Sequence, residues 1–128
     1  MENSRIIFAY MVNLSVCNKK FEMDEEKKEI KTAEEWKKEG NDAYKNKQYE
    51  KAIQAYSEAI ALNGNDHSYY SNRAICHFNI QNFLECCNDC DECMKINPKF
   101  TKAMRRKGMA LIEMLKFAEA VFNFKSAY

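Results

Sequence analysis

Residues 36–59 read Trp-Lys-Lys-Glu-Gly-Asn-Asp-Ala-Tyr-Lys-Asn-Lys-Gln-Tyr-Glu-Lys-Ala-Ile-Gln-Ala-Tyr-Ser-Glu-Ala, and the reading of this stretch decides the fold. Shifted by 34 residues, the sequence falls on itself: Gly40 meets Ala74 and Gly108, Tyr44 meets Phe78 and Ile112, and Tyr49 meets Phe83 and Phe117. Farther along, Ala52 meets Cys86 and Ala120, Tyr56 meets Cys90 and Phe124, and Ala59 meets Cys93 and Ala127. Small residues stand on small residues and aromatics mostly on aromatics. A constant period of this kind marks one supersecondary unit repeated along the chain.

Composition agrees with a helical unit. The chain has 128 residues, enough for one domain, and only three Gly and one Pro, too few for many tight turns between strands. Ala, Lys, Glu and Met are frequent, which favours helix throughout. The period predicts helix pairs near 33–46 and 49–62, 67–80 and 83–96, and 101–114 and 117–128. Thr32 with Glu35 forms a capping box ahead of the first pair. Asn63-Gly64-Asn65-Asp66 is a turn cluster, and Pro98 sits just past a helix end. Gly40, Gly108, Ala52, Ala59, Ala120 and Ala127 are expected to let helices approach closely, with Tyr56 and Phe124 filling the gaps.

The order Trp36, Gly40, Tyr44, Ala52, Tyr56, Ala59, completed by Pro98 in the second unit, resembles the tetratricopeptide repeat (TPR). The resemblance implies an all-α fold, a right-handed superhelical stack of three helix-turn-helix repeats at 33–66, 67–100 and 101–128, the last incomplete. It covers 96 of the 128 residues. Residues 1–32 are then an N-terminal extension. Its segment 6–17 is apolar except for Asn13 and Ser15, and twelve residues are too few to span a bilayer. A signal-peptide core after Arg5 is one reading, weakened by Glu2; a segment packed on the domain is the favoured one. The charged run 22–31 is either a solvated linker or an added helical turn. Stacked repeats need polar ends. Phe117, Val121 and Phe124 would lack a covering helix, so self-association through the last helix or through segment 6–17 is an expectation.

Charge excludes some function classes. Twenty basic and nineteen acidic residues leave a formal net charge of +1, which argues for neither nucleic acid nor an anionic membrane as partner. Chemistry must therefore come from local arrangement. Lys37 and Asn41 stand four apart on one helical face, as do Lys102 and Arg106, with Asn72 between the two pairs. These five resemble the two-carboxylate clamp of chaperone-binding TPR domains, in which a Lys and an Asn come from the first repeat, an Asn from the second, and a Lys and an Arg from the third. The spacings of 4, 31, 30 and 4 match at every position. With 16 Lys, 13 Asn and 4 Arg in the chain, such a coincidence would arise about five times in a million.

The resemblance implies that this is a co-chaperone adaptor clamping the Glu-Glu-Val-Asp tail of a seventy- or ninety-kilodalton heat-shock chaperone in the cytoplasm. Tyr44, Ile75, Phe78, Asn79, Ile112 and Glu113 are candidates for the groove upstream of the clamp, although Phe78 and Ile112 serve equally well as core. The alternative is a repeat scaffold that binds an internal peptide. No phosphate loop or nucleophile–base set appears, so no enzymatic activity and no cofactor are expected. Cys86, Cys87, Cys90 and Cys93 crowd one helix, where neither a disulfide nor a tetrahedral metal site is well placed. Three of them fall on the small and aromatic packing positions, so they are read as reduced core residues in a cytosolic compartment, with no metal bound.

Overall fold

The computed structural model describes residues 30–126. By contacts the chain separates into two units, Met1–Lys31 and Thr32–Tyr128. The apolar segment 6–17 and most of the charged run lie outside the described residues.

The described residues of the second unit form five helices: α1 Ala33–Lys45, α2 Tyr49–Leu62, α3 His67–Asn79, α4 Phe83–Ile96 and α5 Thr101–Ser126. The first four fall within a residue of the periods read above. Helix α1 opens on the expected capping box: Thr32 Oγ1 accepts from the Glu35 amide at 3.2 Å, and Glu35 Oε2 accepts from the Thr32 amide at 2.7 Å. Asp66 caps α3 by accepting from the Ser68 amide at 2.9 Å. Both turns within pairs use a residue in the left-handed region, Lys47 (φ 59°) and Gln81 (φ 66°).

The third pair departs from expectation. Instead of helices at 101–114 and 117–128, α5 runs unbroken from Thr101 to Ser126. The position equivalent to Lys47 and Gln81 is Leu115, flanked by Met114 and Lys116. Repeats one and two place Asn46-Lys47-Gln48 and Ile80-Gln81-Asn82 at the turn, polar at five of the six positions, and polar residues tolerate exposure there. Met, Leu and Lys are all good helix formers, and a left-handed residue costs about 1–2 kcal/mol. Burial repays that cost twice over for α2, which touches both α1 and α3, and for α4, which touches both α3 and α5. Segment 117–126 has no such pair of neighbours among the described residues.

The core is built from small side chains at the repeated positions. Ala52, Ala59, Ala74, Cys86, Cys90, Cys93, Ala103 and Ala110 are inaccessible to solvent. The buried cysteines are free thiols, and burial pushes Cys76 and Cys93 up to about 11. Among the described residues no three metal-type ligands are grouped. Gly40 is needed for close approach: a Cβ there would meet the Tyr56 ring at 2.6 Å. The same role does not hold at Gly108, where a Cβ would meet nothing within 4 Å, because among the described residues no helix folds back against it.

One polar network crosses the core. The Arg73 guanidinium grips Asp89 through two bonds, Nε–Oδ2 at 2.9 Å and Nη2–Oδ1 at 2.7 Å. Its Nη1 donates to Ser57 Oγ at 3.1 Å, tying α3 to both α4 and α2. His77 Nε2 lies 3.7 Å from Asp89 Oδ2, while its Nδ1 is buried with no hydrogen-bond partner. Burial lowers the His77 pKa; Asp89 works against this and Arg73 adds to it. The unfolded chain therefore takes up a proton near pH 6.5 that the folded chain refuses. Stability is complete above that pH and is lost as pH falls through the lower folded value. Thermal unfolding from pH 7.5 to 5 should show this loss, and His77→Gln should flatten that part of the profile.

Candidate peptide-carboxylate site

The site is built on the first helix of each pair. Helix α3 touches both α1 and α5, so the three lie side by side. Lys37 and Asn41 occupy successive turns of α1, and Lys102 and Arg106 successive turns of α5. Contacts from both flanking helices converge on a single turn of α3, Tyr69–Asn72. Lys37 Nζ sits 5.8 Å from the centre of the Tyr69 ring. Arg106 Nη1 lies 3.4 Å from both the carbonyl and the hydroxyl of Ser71. Asn72, the next residue, is half-buried on that turn.

Asn41 is oriented by a residue the sequence reading had treated only as filler. The Tyr56 hydroxyl donates to Asn41 Oδ1 at 2.6 Å. Burial pushes the Tyr56 pKa well above the ordinary phenol range, so the proton stays on that oxygen. With Oδ1 accepting that bond, Nδ2 remains the Asn41 side chain's donor. Tyr69 is held similarly: its hydroxyl donates to Glu34 Oε1 at 2.7 Å, and burial together with that carboxylate raises its pKa to about 12. Asp66 feels burial, which raises its pKa, yet the Ser68 hydrogen bonds and the Lys37 and His67 charges hold it below the usual value. On α5, Lys102, Arg105, Arg106 and Met109 line a concavity of about 360 Å³. Arg105 and Met109 were absent from the sequence reading; their proximity to Lys102 and Arg106 in the chain was the available signal.

The candidate groove residues separate. Tyr44 is exposed, its ring edge-on to Tyr49 at 5.8 Å. Ile75 is half-buried one turn beyond Asn72, and Asn79 Nδ2 donates to the Ile75 carbonyl at 2.9 Å. Phe78 packs edge-on to Phe83 at 5.4 Å within the second-repeat core, which assigns it to packing. Ile112 is exposed, and Glu113 pairs with Lys116 at 3.2 Å.

Gly40→Ala couples fold to site. Overpacking costs about 1–3 kcal/mol and helix propensity returns about 1. The net expectation is a loss of about 1–2 kcal/mol in urea denaturation, with Tyr56 displaced from Asn41. Tyr56→Phe keeps the packing and loses only the hydroxyl bond, about 1 kcal/mol.

Side-by-side helices joined in antiparallel pairs define a helical-repeat domain. The profile of the family described as "Tetratricopeptide repeat" matches residues 33–66. The yeast (Saccharomyces cerevisiae) Heat shock protein STI1 is 39% identical over 97 residues, covering 75% of this chain and 16% of that protein. The Arabidopsis OM64 TPR domain superimposes with a TM-score of 0.64 at 41% identity, covering 74% of this chain and 78% of that one. The second TPR of Spaghetti (RPAP3), bound to the HSP90 peptide SRMEEVD, gives a TM-score of 0.65 at 32% identity, with coverages of 74% and 88%. The chain belongs to the tetratricopeptide-repeat family. It spans about a sixth of the length of the yeast relative.

Proposed function

We infer that this domain is a co-chaperone adaptor module that clamps the C-terminal carboxylates of a heat-shock chaperone tail. The observation that carries the reading is the convergence of Lys37 and Arg106 on the Tyr69–Asn72 turn of α3, with the Asn41 carbonyl oxygen engaged by Tyr56 so that its amide nitrogen is the group left to donate. A chain ending in Asp presents two carboxylates on one Cα. Lys37 and Lys102 supply ammonium donors, Arg106 a planar fork, and Asn41 and Asn72 neutral amide donors. Charge-assisted hydrogen bonds of this kind are about twice as strong as neutral ones. Ordering a short flexible tail offsets much of that gain, so affinity near 1 μM, about −8 kcal/mol, is expected. The peptide in the Spaghetti complex ends in Glu-Glu-Val-Asp, and tails of that type from the seventy- and ninety-kilodalton chaperones are the proposed ligands. Tyr44, Ile75, Asn79, Ile112 and Glu113 are the proposed groove upstream of the clamp.

The module acts by binding, without catalysis and without a cofactor, in the cytoplasm. Among the described residues no helix is long and apolar enough to cross a membrane. Calorimetric titration tests the proposal. A free-acid peptide ending in Glu-Glu-Val-Asp should bind, and the same peptide amidated at its C-terminus should bind at least tenfold more weakly. Equal affinity for the two would favour an internal-peptide scaffold and end the clamp reading.

A further inference from the structure

The concavity on α5 holds more positive charge than the proposed clamp uses. Lys102, Arg105, Arg106 and Met109 line it, and the clamp takes only Lys102 and Arg106. At about 100° per residue, the side chains run round the helix in the order Arg105, Met109, Lys102, Arg106 and then the buried Ala110 and Ala103. Arg106 therefore stands at the edge nearest α3, where its Nη1 lies 3.4 Å from the Ser71 carbonyl. Arg105 stands at the opposite edge and is exposed. The fold does not neutralise its charge. Arg73, Lys95, Lys107 and Lys116 each pair with a carboxylate, whereas among the described residues Lys102, Arg105 and Arg106 pair with none. Helix α5 carries two acidic side chains, Glu113 and Glu119, both beyond the concavity, and Glu113 is engaged by Lys116 at 3.2 Å. Met109, 49% exposed, adds an apolar wall beside the cations. Such a wall lowers the local dielectric and strengthens an ion pair formed against it.

We propose that Arg105 is a specificity-determining residue that pairs with the side-chain carboxylate of the glutamate immediately before Val in a Glu-Glu-Val-Asp tail. The inference rests on the clamp reading above and extends it two residues up the ligand. In an extended peptide alternate side chains share a face, and residues two apart are separated by about 7 Å. With the terminal Asp held by Lys102 and Arg106, that glutamate is the next acidic side chain on the same face, and the first glutamate of the tail points to the other. Arg105 lies three residues along α5 from Lys102, about 4.5 Å of rise, and its long side chain spans the remaining gap. An Arg fork donates to both oxygens of a carboxylate, a match that a glutamine amide or an apolar side chain cannot make. The ligand class is thereby narrowed from any chain ending in Asp to one with a carboxylate two residues before its end.

Calorimetry of the full chain and its Arg105→Gln variant against three free-acid peptides tests the assignment. The peptides end in Glu-Glu-Val-Asp, Glu-Gln-Val-Asp and Gln-Glu-Val-Asp. Arg105→Gln should weaken the first and third by about fivefold, the upper range for an exposed ion pair. It should leave the second unchanged, because that peptide has already lost the carboxylate. The variant should melt with the wild type, since the Arg105 side chain is exposed. An equal loss on all three peptides would reduce Arg105 to a general positive field and overturn the assignment. No loss on any of them, or a loss that vanishes with the Gln-Glu-Val-Asp peptide instead, overturns it as well. An amidated Glu-Glu-Val-Asp peptide separates this result from the clamp itself. If amidation still weakens binding by about tenfold or more while the three peptides respond alike, only the Arg105 assignment fails. If amidation has no effect, the clamp reading falls and takes this inference with it.

Discussion

Arg73→Met is expected to cost the domain about 3–5 kcal/mol, the loss typical of removing one partner from a buried ion pair. The carboxylate left behind is Asp89, whose side chain is 6% exposed. Two charge-assisted bonds to it vanish, and Ser57 Oγ loses the donor that links it to α3. Domains of this size are stable by about 5–15 kcal/mol, so the change removes a large share of the total. Arg73→Lys should recover only part of it, because an ammonium is a point charge and cannot fork across both carboxylate oxygens. His77 would become the sole cation near Asp89, and the acid sensitivity described above should weaken or reverse in Arg73→Met. Urea denaturation at pH 5.5 and 7.5 reads both effects. A variant within 1 kcal/mol of wild type at both values would mean that the network contributes little.

The second large effect is on binding. Lys102→Ala is expected to weaken a free-acid Glu-Glu-Val-Asp peptide by about 2 kcal/mol, roughly 30-fold, since a peptide carboxylate is left poorly paired. Lys102 is the best position for this test. Its side chain is exposed, whereas Arg106 also contacts Ser71 and Asn41 also accepts a hydrogen bond from the Tyr56 hydroxyl. Its removal should leave the melting temperature unchanged, separating loss of a ligand contact from loss of fold. The wild-type affinity should fall as salt rises from 50 to 500 mM, and the variant should show a shallower dependence because one cation fewer takes part. Unchanged affinity in Lys102→Ala would exclude this lysine from the site.

Much of the architecture was readable from the residues because a repeat writes its packing into a period. Small side chains at 40, 52, 59, 74, 86 and 93 recur where helices touch, and α1 to α4 appear at the expected places. The five candidate carboxylate ligands were proposed from their resemblance to the clamp, and the repeat places the helices that carry them side by side. The orientation of Asn41 was not readable, because Tyr56 approaches it from the other helix of the pair, and a packing position does not reveal where its hydroxyl points. The Arg73–Asp89 bond was hidden similarly: both residues look like ordinary charges on helices until the pair closes.

The third repeat divides the two kinds of information most sharply. The sequence alone determined that residues 117–126 carry the pattern of a second helix, since composition and period continue through them. Whether that helix folds back was decided only in three dimensions. A turn at Leu115 costs about 1–2 kcal/mol of backbone strain and breaks a run of good helix formers. The first two repeats recover that cost by burying the second helix between two neighbours, and α5 among the described residues does not. The same local pattern therefore closes a hairpin at Lys47 and Gln81 and runs straight through Leu115.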